Sequence, residues 1–275
     1  EMCIRDSFYL ESQAVLVVPG EEDQLHVHSS TQNTSEIQQV VAEALNLGFH
    51  QVVAVCKRMG GGFGGKETQA AIPAVMASLV SYHLKRPARM VFTKDDDMKT
   101  TGKRHPFLIR YKSAYTSEGR ITGLEVKLFS NGGAYADLST AIMERAMLHS
   151  DNAYFIPNVL IKGQVCRTNL PPNTALRGFG GPQGMANIEN IMQEIAITLG
   201  KDAFEVRRLN CYGKYEQNVT PYGQKVHAHC LPEMMDRLAE KTDYHKRLSE
   251  IEAFNKASRT PVSYTHLRAH ETSGY

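Results

Sequence analysis

Five of the six residues from Gly60 to Gly65 are glycine, in the run Arg58-Met59-Gly60-Gly61-Gly62-Phe63-Gly64-Gly65-Lys66-Glu67. Backbone without Cβ atoms reaches left-handed conformations and lets another molecule lie directly against its peptide groups. Such a run loses a great deal of chain entropy on folding, so it constrains the rest of the chain to hold it in a close-approach turn. The spacing from Gly60 to Gly65-Lys66 fits the first seven places of the phosphate-binding loop Gly-x-x-x-x-Gly-Lys-[Ser/Thr]. Glu67 stands in the eighth place, where that motif needs a hydroxyl for Mg²⁺ and where a carboxylate repels phosphate. Two readings remain from these residues: glycines that serve packing alone, and a bare-backbone cradle for a polar ligand with Glu67 facing it.

Gly-Phe-Gly-Gly occurs a second time, at Gly178–Gly181, inside Asn173-Thr174-Ala175-Leu176-Arg177-Gly178-Phe179-Gly180-Gly181-Pro182-Gln183. Each copy has a strand pattern behind it and a helix pattern ahead. Before the first, Ala14–Val18, Gln24–Ser29 and Gln51–Val55 read as strands. Ser35 is placed to cap a helix that stops at Gly48. After it, Thr68–Leu84 reads as a helix with Ile72, Val75, Met76, Leu79, Val80 and His83 along one side and Pro73 in the first turn. Met90–Phe92 is a short strand, Asp95-Asp96-Asp97 a solvated turn, and Thr100–Pro106 a polar loop. Phe107–Tyr115 and Ile121–Ser130 form a hairpin about Glu118-Gly119, which Asn131-Gly132-Gly133 ends. A helix over Ser139–His149 and a strand over Val159–Arg167 precede the second copy. The helix after it, Met185–Leu199, carries Ile188, Ile191, Met192, Ile195 and Ala196 on a core stripe. Beyond it come a short helix at Phe204–Leu209, a loop over Tyr212–Gly223 and one or two polar-faced helices within Pro232–Phe254. Helices and strands alternate without a regular beat, so the class is α+β, with mixed sheets and packed helices.

Charge and composition narrow the function. A net charge of +2 makes no case for nucleic acid or an anionic membrane surface, and no apolar run is long enough to span a bilayer. The first residues carry no basic-then-apolar secretory pattern. The five cysteines include no Cys-x-x-Cys pair, which speaks against zinc or iron–sulfur in this chain and for reduced thiols in a cytoplasmic setting. Glu1–Asp6 and Pro261–Thr272 resemble translated transposase sequencing adapter. The expected division is therefore adapter-like ends at 1–7 and 261–275 around a partial domain at 8–260.

Two bare-backbone loops, each at the start of a helix, are placed to bracket one electron-rich ligand. Glu67, Arg177 and Arg145 offer fixed hydrogen bonds to a planar heterocycle, and Phe63 and Phe179 offer rings to stack on it. The competing reading assigns both arginines to surface ion pairs and both phenylalanines to the core. No Gly-x-Ser-x-Gly elbow or catalytic-type cysteine is present.

Four segments, Arg58–Glu67, Asn173–Gln183, Ile142-Met143-Glu144-Arg145-Ala146 and Ser30-Thr31-Gln32-Asn33, resemble the molybdenum-cofactor domain of the xanthine dehydrogenase family, in that family's order. The resemblance covers roughly Phe8 to Tyr212. It implies a molybdenum–molybdopterin cofactor, with Gln32 hydrogen-bonded to the metal's oxo ligand. Gly62, Phe63 and Gly64 lie against the metal centre, and Ala175 and Arg177 make a second contact there. Gln32, Phe63 and Arg177 are thus the molybdenum surroundings. Phe179 contacts the purine ring. Glu67 and Arg145 match the pair that separates purine hydroxylases from aldehyde oxidases, as substrate-binding and catalytic residues.

The implied chemistry is oxidation of hypoxanthine to xanthine and then urate, by attack of a molybdenum-bound hydroxide on a ring carbon and hydride transfer to a sulfido ligand. Iron–sulfur clusters and FAD are implied on other domains or subunits, with NAD as final acceptor and a dimeric complete enzyme. The family's general-base glutamate has no counterpart after Arg177, so the chain by itself is expected to be inactive. An aldehyde oxidase-like hydroxylase and a cofactor-free binding or assembly module are the alternatives.

Overall fold

The computed structural model describes residues 9–213, 217–227 and 230–258 of the 275-residue chain. The adapter-like stretches 1–7 and 261–275 lie outside the described residues. Strands β1 (Ala14–Pro19), β2 (Leu25–Ser29), β3 (Val52–Val55) and β4 (Ala88–Val91) form a sheet in the order β3-β2-β1-β4. Its β2–β3 pair is parallel, and β1 is antiparallel to both β2 and β4. Alternation along β2 puts Leu25 and Val27 inward and His26 and His28 on the opposite face, as period-two geometry requires.

Helices α1 (Thr34–Leu45) and α2 (Ala71–Leu84) cover the inner face. Val17, Val27, Ile37, Val41, Val52 and Ala74 are fully buried there. Each of the larger ones contributes about 1.5–3 kcal/mol of burial. Asn33, not Ser35, caps α1 by accepting from the Glu36 N–H at 3.1 Å. The helix ends at left-handed Asn46 (φ +54°), two residues before the expected glycine. Asparagine tolerates that conformation because its short polar side chain bonds locally.

The buried face of α2 departs from the expected one. Pro73, Ala74, Ala77, Ser78 and Ser81 point inward, while Met76, Leu79, Val80 and Leu84 are 39–65 % exposed. Small residues let the helix axis approach the sheet closely, and that contact outweighs the size of the aliphatic stripe behind it. The helix also begins three residues later than Thr68, leaving Glu67–Ala70 in successive turns.

Helix α3 (Lys94–Thr100) replaces the expected solvated turn. Thr93 caps it, and the three aspartates sit in its first turn, where the helix dipole favours negative charge. Asp97 is fully buried and accepts from the Tyr9 hydroxyl (2.9 Å), the Thr101 hydroxyl (2.6 Å) and the Gln13 N–H (3.2 Å).

Strands β5 (Phe107–Tyr115), β6 (Ile121–Gly133) and β7 (Val159–Arg167) form a second sheet in that order, with β7 parallel to β6. The sheet does not end at Asn131. Pairing runs on to Gly133 through a register shift, and left-handed Gly133 (φ +82°) lies against the backbone of Pro171 and Pro172. Asn173 donates from its N–H to Gly132 O and from Nδ2 to Asn131 O (2.9 Å), which braces the lead into the second glycine loop. Helices α4 (Ser139–Leu148) and α5 (Gly181–Leu199) follow β6 and β7 respectively. On α5, the stripe Ile188, Ile191, Met192, Ile195 and Ala196 is buried as expected.

The chain divides into two compact units that interleave along the sequence. Among the described residues, one comprises 9–114, 123–152 and 158–191, and holds both glycine loops. The other is built from the hairpin tip at 115–122, residues 153–157 and the described residues from 192 onward. It includes α6 (Ala203–Asn210), α7 (Leu231–Lys241) and α8 (Tyr244–Ala257). Buried Asn210 ties this second unit together: its Nδ2 donates to Gly119 O (2.9 Å) and Val206 O (2.8 Å), and its Oδ1 accepts from Ile121 N (2.8 Å).

Candidate functional site

The two Gly-Phe-Gly-Gly copies adopt the same turn. Phe63 and Phe179 are left-handed (φ +50° and +49°), and the glycines after them, Gly64 and Gly180, have φ +97° and +94°. In each copy the fourth residue donates to the first, Gly65 to Gly62 at 2.8 Å and Gly181 to Gly178 at 2.9 Å. Positive φ at a phenylalanine costs of the order of 1 kcal/mol, so the surroundings must hold each loop in place.

Beneath the first loop, that hold is Lys66. Its side chain is fully buried, with Nζ donating to Glu11 Oε2 (2.8 Å) and Ser30 Oγ (3.0 Å). Glu11 also accepts from the Gly60 N–H at 2.7 Å. Burial pushes the Glu11 carboxyl up, but the hydrogen bonds from Lys66, Ser30 and Gly60 outweigh it and hold the group below the usual carboxylate range. The lysine that matched the phosphate-loop spacing is thus directed into the protein, where no phosphate on the loop's outer surface reaches it.

Gln32 locks the loop from the side. Its Oε1 accepts from Gly64 N (2.7 Å) and Lys66 N (3.3 Å), and a Cβ at Gly62 would fall 2.5 Å from that oxygen. Those two donors fix the carboxamide's orientation. Nε2 is left as an exposed donor without a partner among the described residues. The N–H groups of Gly61, Gly62 and Phe63 likewise bond to nothing among the described residues, a concave run of donors suited to an electron-rich ligand.

The second loop abuts the first. Arg177 N donates to Phe63 O at 2.9 Å, and a Cβ on Gly64 would come within 2.7 Å of Ala175 O and 2.8 Å of Ala175 C. Rather than facing each other across a ligand, the loops form one continuous wall. Gln32, Gly62, Phe63, Gly64, Ala175 and Arg177 meet along it. Ala175 is buried, both phenylalanines are half-buried, and the Arg177 side chain is exposed.

Arg145 and Glu67 occupy different neighbourhoods of this wall. Helix α4 docks on the second loop, where Gly180 and Gly184 lie against the carbonyls of Ile142 and Ala146. Arg145 projects from that helix into solvent and forms no ion pair among the described residues. Glu67 is half-buried, and burial raises its carboxyl above the usual range, with the negative charges of Asp137 and Glu36 adding to the effect.

Several residues that the sequence reading passed over gather behind the second loop. Arg104 donates from Nη2 to Arg177 O (2.7 Å), while its buried Nη1 has no partner. His105, 3 % exposed, shares a 2.7 Å hydrogen bond with Ser139 Oγ. Burial pushes its imidazole below the ordinary value, against the opposing influence of Asp137 and of a backbone hydrogen bond with Thr174. Asp137 Oδ2 and Gln183 Oε1 are buried without partners among the described residues. Lys103-Arg104-His105 reads in sequence as an ordinary polar loop, and nothing local signals that it is packed against a turn seventy residues away.

Among the described residues no three His, Cys, Asp or Glu side chains gather as a metal cage. No described helix is long and apolar enough to cross a membrane. What the wall offers a ligand is hydrogen-bond donors on bare backbone, one oriented carboxamide and buried unpartnered polar atoms. A large, acceptor-rich organic ligand that carries its own metal suits that donor set.

Residues 2–211 match the family described as the molybdopterin cofactor-binding domain. The chain is 47 % identical over 255 residues to xanthine dehydrogenase of Dictyostelium discoideum and 46 % identical over 253 residues to xanthine dehydrogenase/oxidase of Mus musculus. These alignments cover 93 % and 92 % of the chain, which spans about a fifth (19 %) of the length of each relative. Among solved structures it resembles the aldehyde oxidoreductase from Desulfovibrio gigas, with TM-score 0.79 and 27 % identity over 90 % of this chain and 26 % of that one. CO dehydrogenase from Oligotropha carboxidovorans shares the fold, with TM-score 0.79 and 21 % identity over 90 % and 32 % of the two chains.

Proposed function

The chain belongs to the molybdopterin cofactor-binding domain family, and from that premise we propose that it is part of a molybdenum hydroxylase that oxidises purines, hypoxanthine to xanthine to urate. The observation that carries the reading is the continuous donor wall of Gln32, Gly61–Phe63 and Ala175–Arg177, with half-buried Glu67 beside it. The bound cofactor supplies the oxidation and the oxygen inserted into the substrate. The residues of this chain position, orient and handle protons.

Gln32 would help hold the cofactor through Nε2, because its own oxygen is held by Gly64 and Lys66. Gly62, Phe63 and Gly64 present bare backbone to the same ligand, and Ala175 and Arg177 extend that surface. Phe179 lies along the purine ring. Glu67, whose carboxyl is raised above the usual range by burial and by the charges of Asp137 and Glu36, hydrogen-bonds a ring nitrogen or helps proton movement. Arg145 stabilises negative charge that builds on the purine, as preorganised donors do.

Similarity at 44–47 % to xanthine dehydrogenases favours purines over the aldehyde oxidase-like alternative. In the full-length enzyme, Glu67→Val with Arg145→Met is expected to lower kcat/KM for xanthine by at least about a hundredfold while aldehyde turnover persists. Unchanged purine turnover refutes the assignment. Metal analysis of the intact gene product separates this reading from a cofactor-free assembly module, which carries no molybdenum.

In the whole enzyme, iron–sulfur and FAD domains or subunits carry electrons onward to NAD, in a cytoplasmic dimer. The 275-residue chain by itself neither holds the cofactor stably nor forms urate. Stoichiometric molybdenum in the purified chain, or urate above a blank, overturns that statement. The reading of 1–7 and 261–275 as non-native rests on their adapter-like sequence.

A further inference from the structure

The outer face of the first sheet carries a recess that the donor wall does not use. Register pairs Leu16 with both His28 and Arg89, and His28 with Val55, so Val55, His28, Leu16 and Arg89 form one row across four strands. Ala14 and Val91 form the next row. Over these rows lies a cavity of about 360 Å³, walled by Lys57, Arg58 and Arg89. His28 and Arg89 stand two strand spacings apart, roughly 10 Å, which suits a small molecule.

The floor of the recess is apolar and open to solvent: Leu16 is 38 % and Val91 45 % exposed. The rim is cationic. Lys57, Arg58 and Arg89 form no ion pair among the described residues, and His28 Nδ1 is buried with no hydrogen-bond partner. Glu11 is the one acid on the lining; its Oε2 accepts from Lys66 Nζ, Ser30 Oγ and Gly60 N, and its charge is balanced by Lys66. The lining therefore holds three uncompensated positive charges over a greasy floor.

We propose that this recess binds a small organic oxyanion: a phosphate or carboxylate held by Arg89, Lys57 and Arg58, on an apolar body resting against Leu16, Val55 and Val91. Arg89 supplies a planar fork of donors matched to an oxyanion, and the lysine adds a point charge. The recess shares Glu11 and Ser30 with the support beneath the first glycine loop, but Arg89, Lys57 and Arg58 are not among the residues assigned to the purine or the cofactor.

The test uses the 275-residue chain and three probes, phenyl phosphate, inorganic phosphate and benzyl alcohol, followed by calorimetry and by ³¹P line broadening for the phosphates. Phenyl phosphate is expected to bind most tightly, inorganic phosphate less tightly, and benzyl alcohol not measurably. Arg89→Gln and Lys57→Gln are each expected to weaken phenyl phosphate about tenfold, the scale of one charge-assisted contact. Raising the salt to 1 M weakens it further, because this rim is open to solvent. The surface control Lys162→Gln leaves affinity unchanged, and circular dichroism verifies that each variant is folded. Phenyl phosphate binding no tighter than benzyl alcohol, or insensitive to both rim substitutions, overturns the site. Equal affinity for the two phosphates overturns the role given to the apolar floor.

Discussion

Gly61 and Gly64 form a matched pair within one loop, and substituting each with alanine separates backbone strain from collision. Their φ values are +95° and +97°, so an alanine bears the same conformational penalty at either place, about 1–2 kcal/mol. The surroundings differ. A Cβ on Gly61 meets Tyr9 Cβ at 3.2 Å, a Phe63 ring atom at 3.3 Å and Tyr9 Cα at 3.4 Å, tight contacts that shifts of a few tenths of an ångström relieve. A Cβ on Gly64 meets the Ala175 carbonyl at 2.7–2.8 Å and Leu176 N at 3.0 Å, all backbone. Relieving that collision means parting the loops, which costs about 1–3 kcal/mol of overpacking and about 1 kcal/mol for the Arg177 N to Phe63 O hydrogen bond. Gly64→Ala is therefore expected to destabilise by about 2–4 kcal/mol more than Gly61→Ala. Urea unfolding followed by circular dichroism and tyrosine fluorescence measures the difference, since the chain has no tryptophan. Unfolding free energies that agree within about 0.5 kcal/mol, at equal urea dependence, refute the claim that the two loops form one wall.

Three further outcomes follow from the same structure. Burial, Asp137 and Glu36 raise the Glu67 pKa in the folded state, so the native chain holds this proton to higher pH than the unfolded chain, and stability falls as pH rises from the usual carboxylate range through the raised value. Glu67→Gln should flatten that part of the stability–pH curve and leave the protein more stable than the parent at neutral pH; a curve parallel to the parent's contradicts it. Lys66→Met should cost about 1–3 kcal/mol, below the usual figure for a broken buried pair because Glu11 is 38 % exposed. Glu11's depressed pKa contributes stability that is present above its unfolded pKa and lost as pH falls through the folded one, so acid unfolding of Lys66→Met should show a smaller such loss. In the other unit, Asn210→Leu strands the Ile121 N–H and the Gly119 carbonyl and should cost about 2–4 kcal/mol, read as lost amide-exchange protection at Ile121; retained protection there rejects it.

Elements were legible in the sequence where their signal is local. β1, β7 and α4 lie where alternation and helical spacing put them, because strand and helix periods are properties of consecutive residues. Helix α2 shows the limit. Its large aliphatic stripe outweighs its alanine and serine face in any pattern, yet the small face is buried, because the sheet opposite rewards close approach. The aspartate run was misread for a related reason: three adjacent acids look solvated until Tyr9, Thr101 and Gln13 are brought to Asp97 from elsewhere in the chain. No composition shift could mark the two units either, since they interleave.

For the site, the repeated Gly-Phe-Gly-Gly and the segments around Gln32, Glu67 and Arg145 were visible in sequence alone, since loss of Cβ atoms and charge type are written residue by residue. That was enough to set the class and point to the family. Tertiary structure decided which partners those residues have. It turned Lys66 inward onto Glu11, fixed which end of Gln32 faces out, and closed the gap between the two loops with one backbone hydrogen bond. It also docked the helix that carries Arg145 on the second loop and set Asp137 and Glu36 beside Glu67. Hydrogen bonds and burial depend on distances between residues far apart in the chain, and a linear pattern carries no record of them.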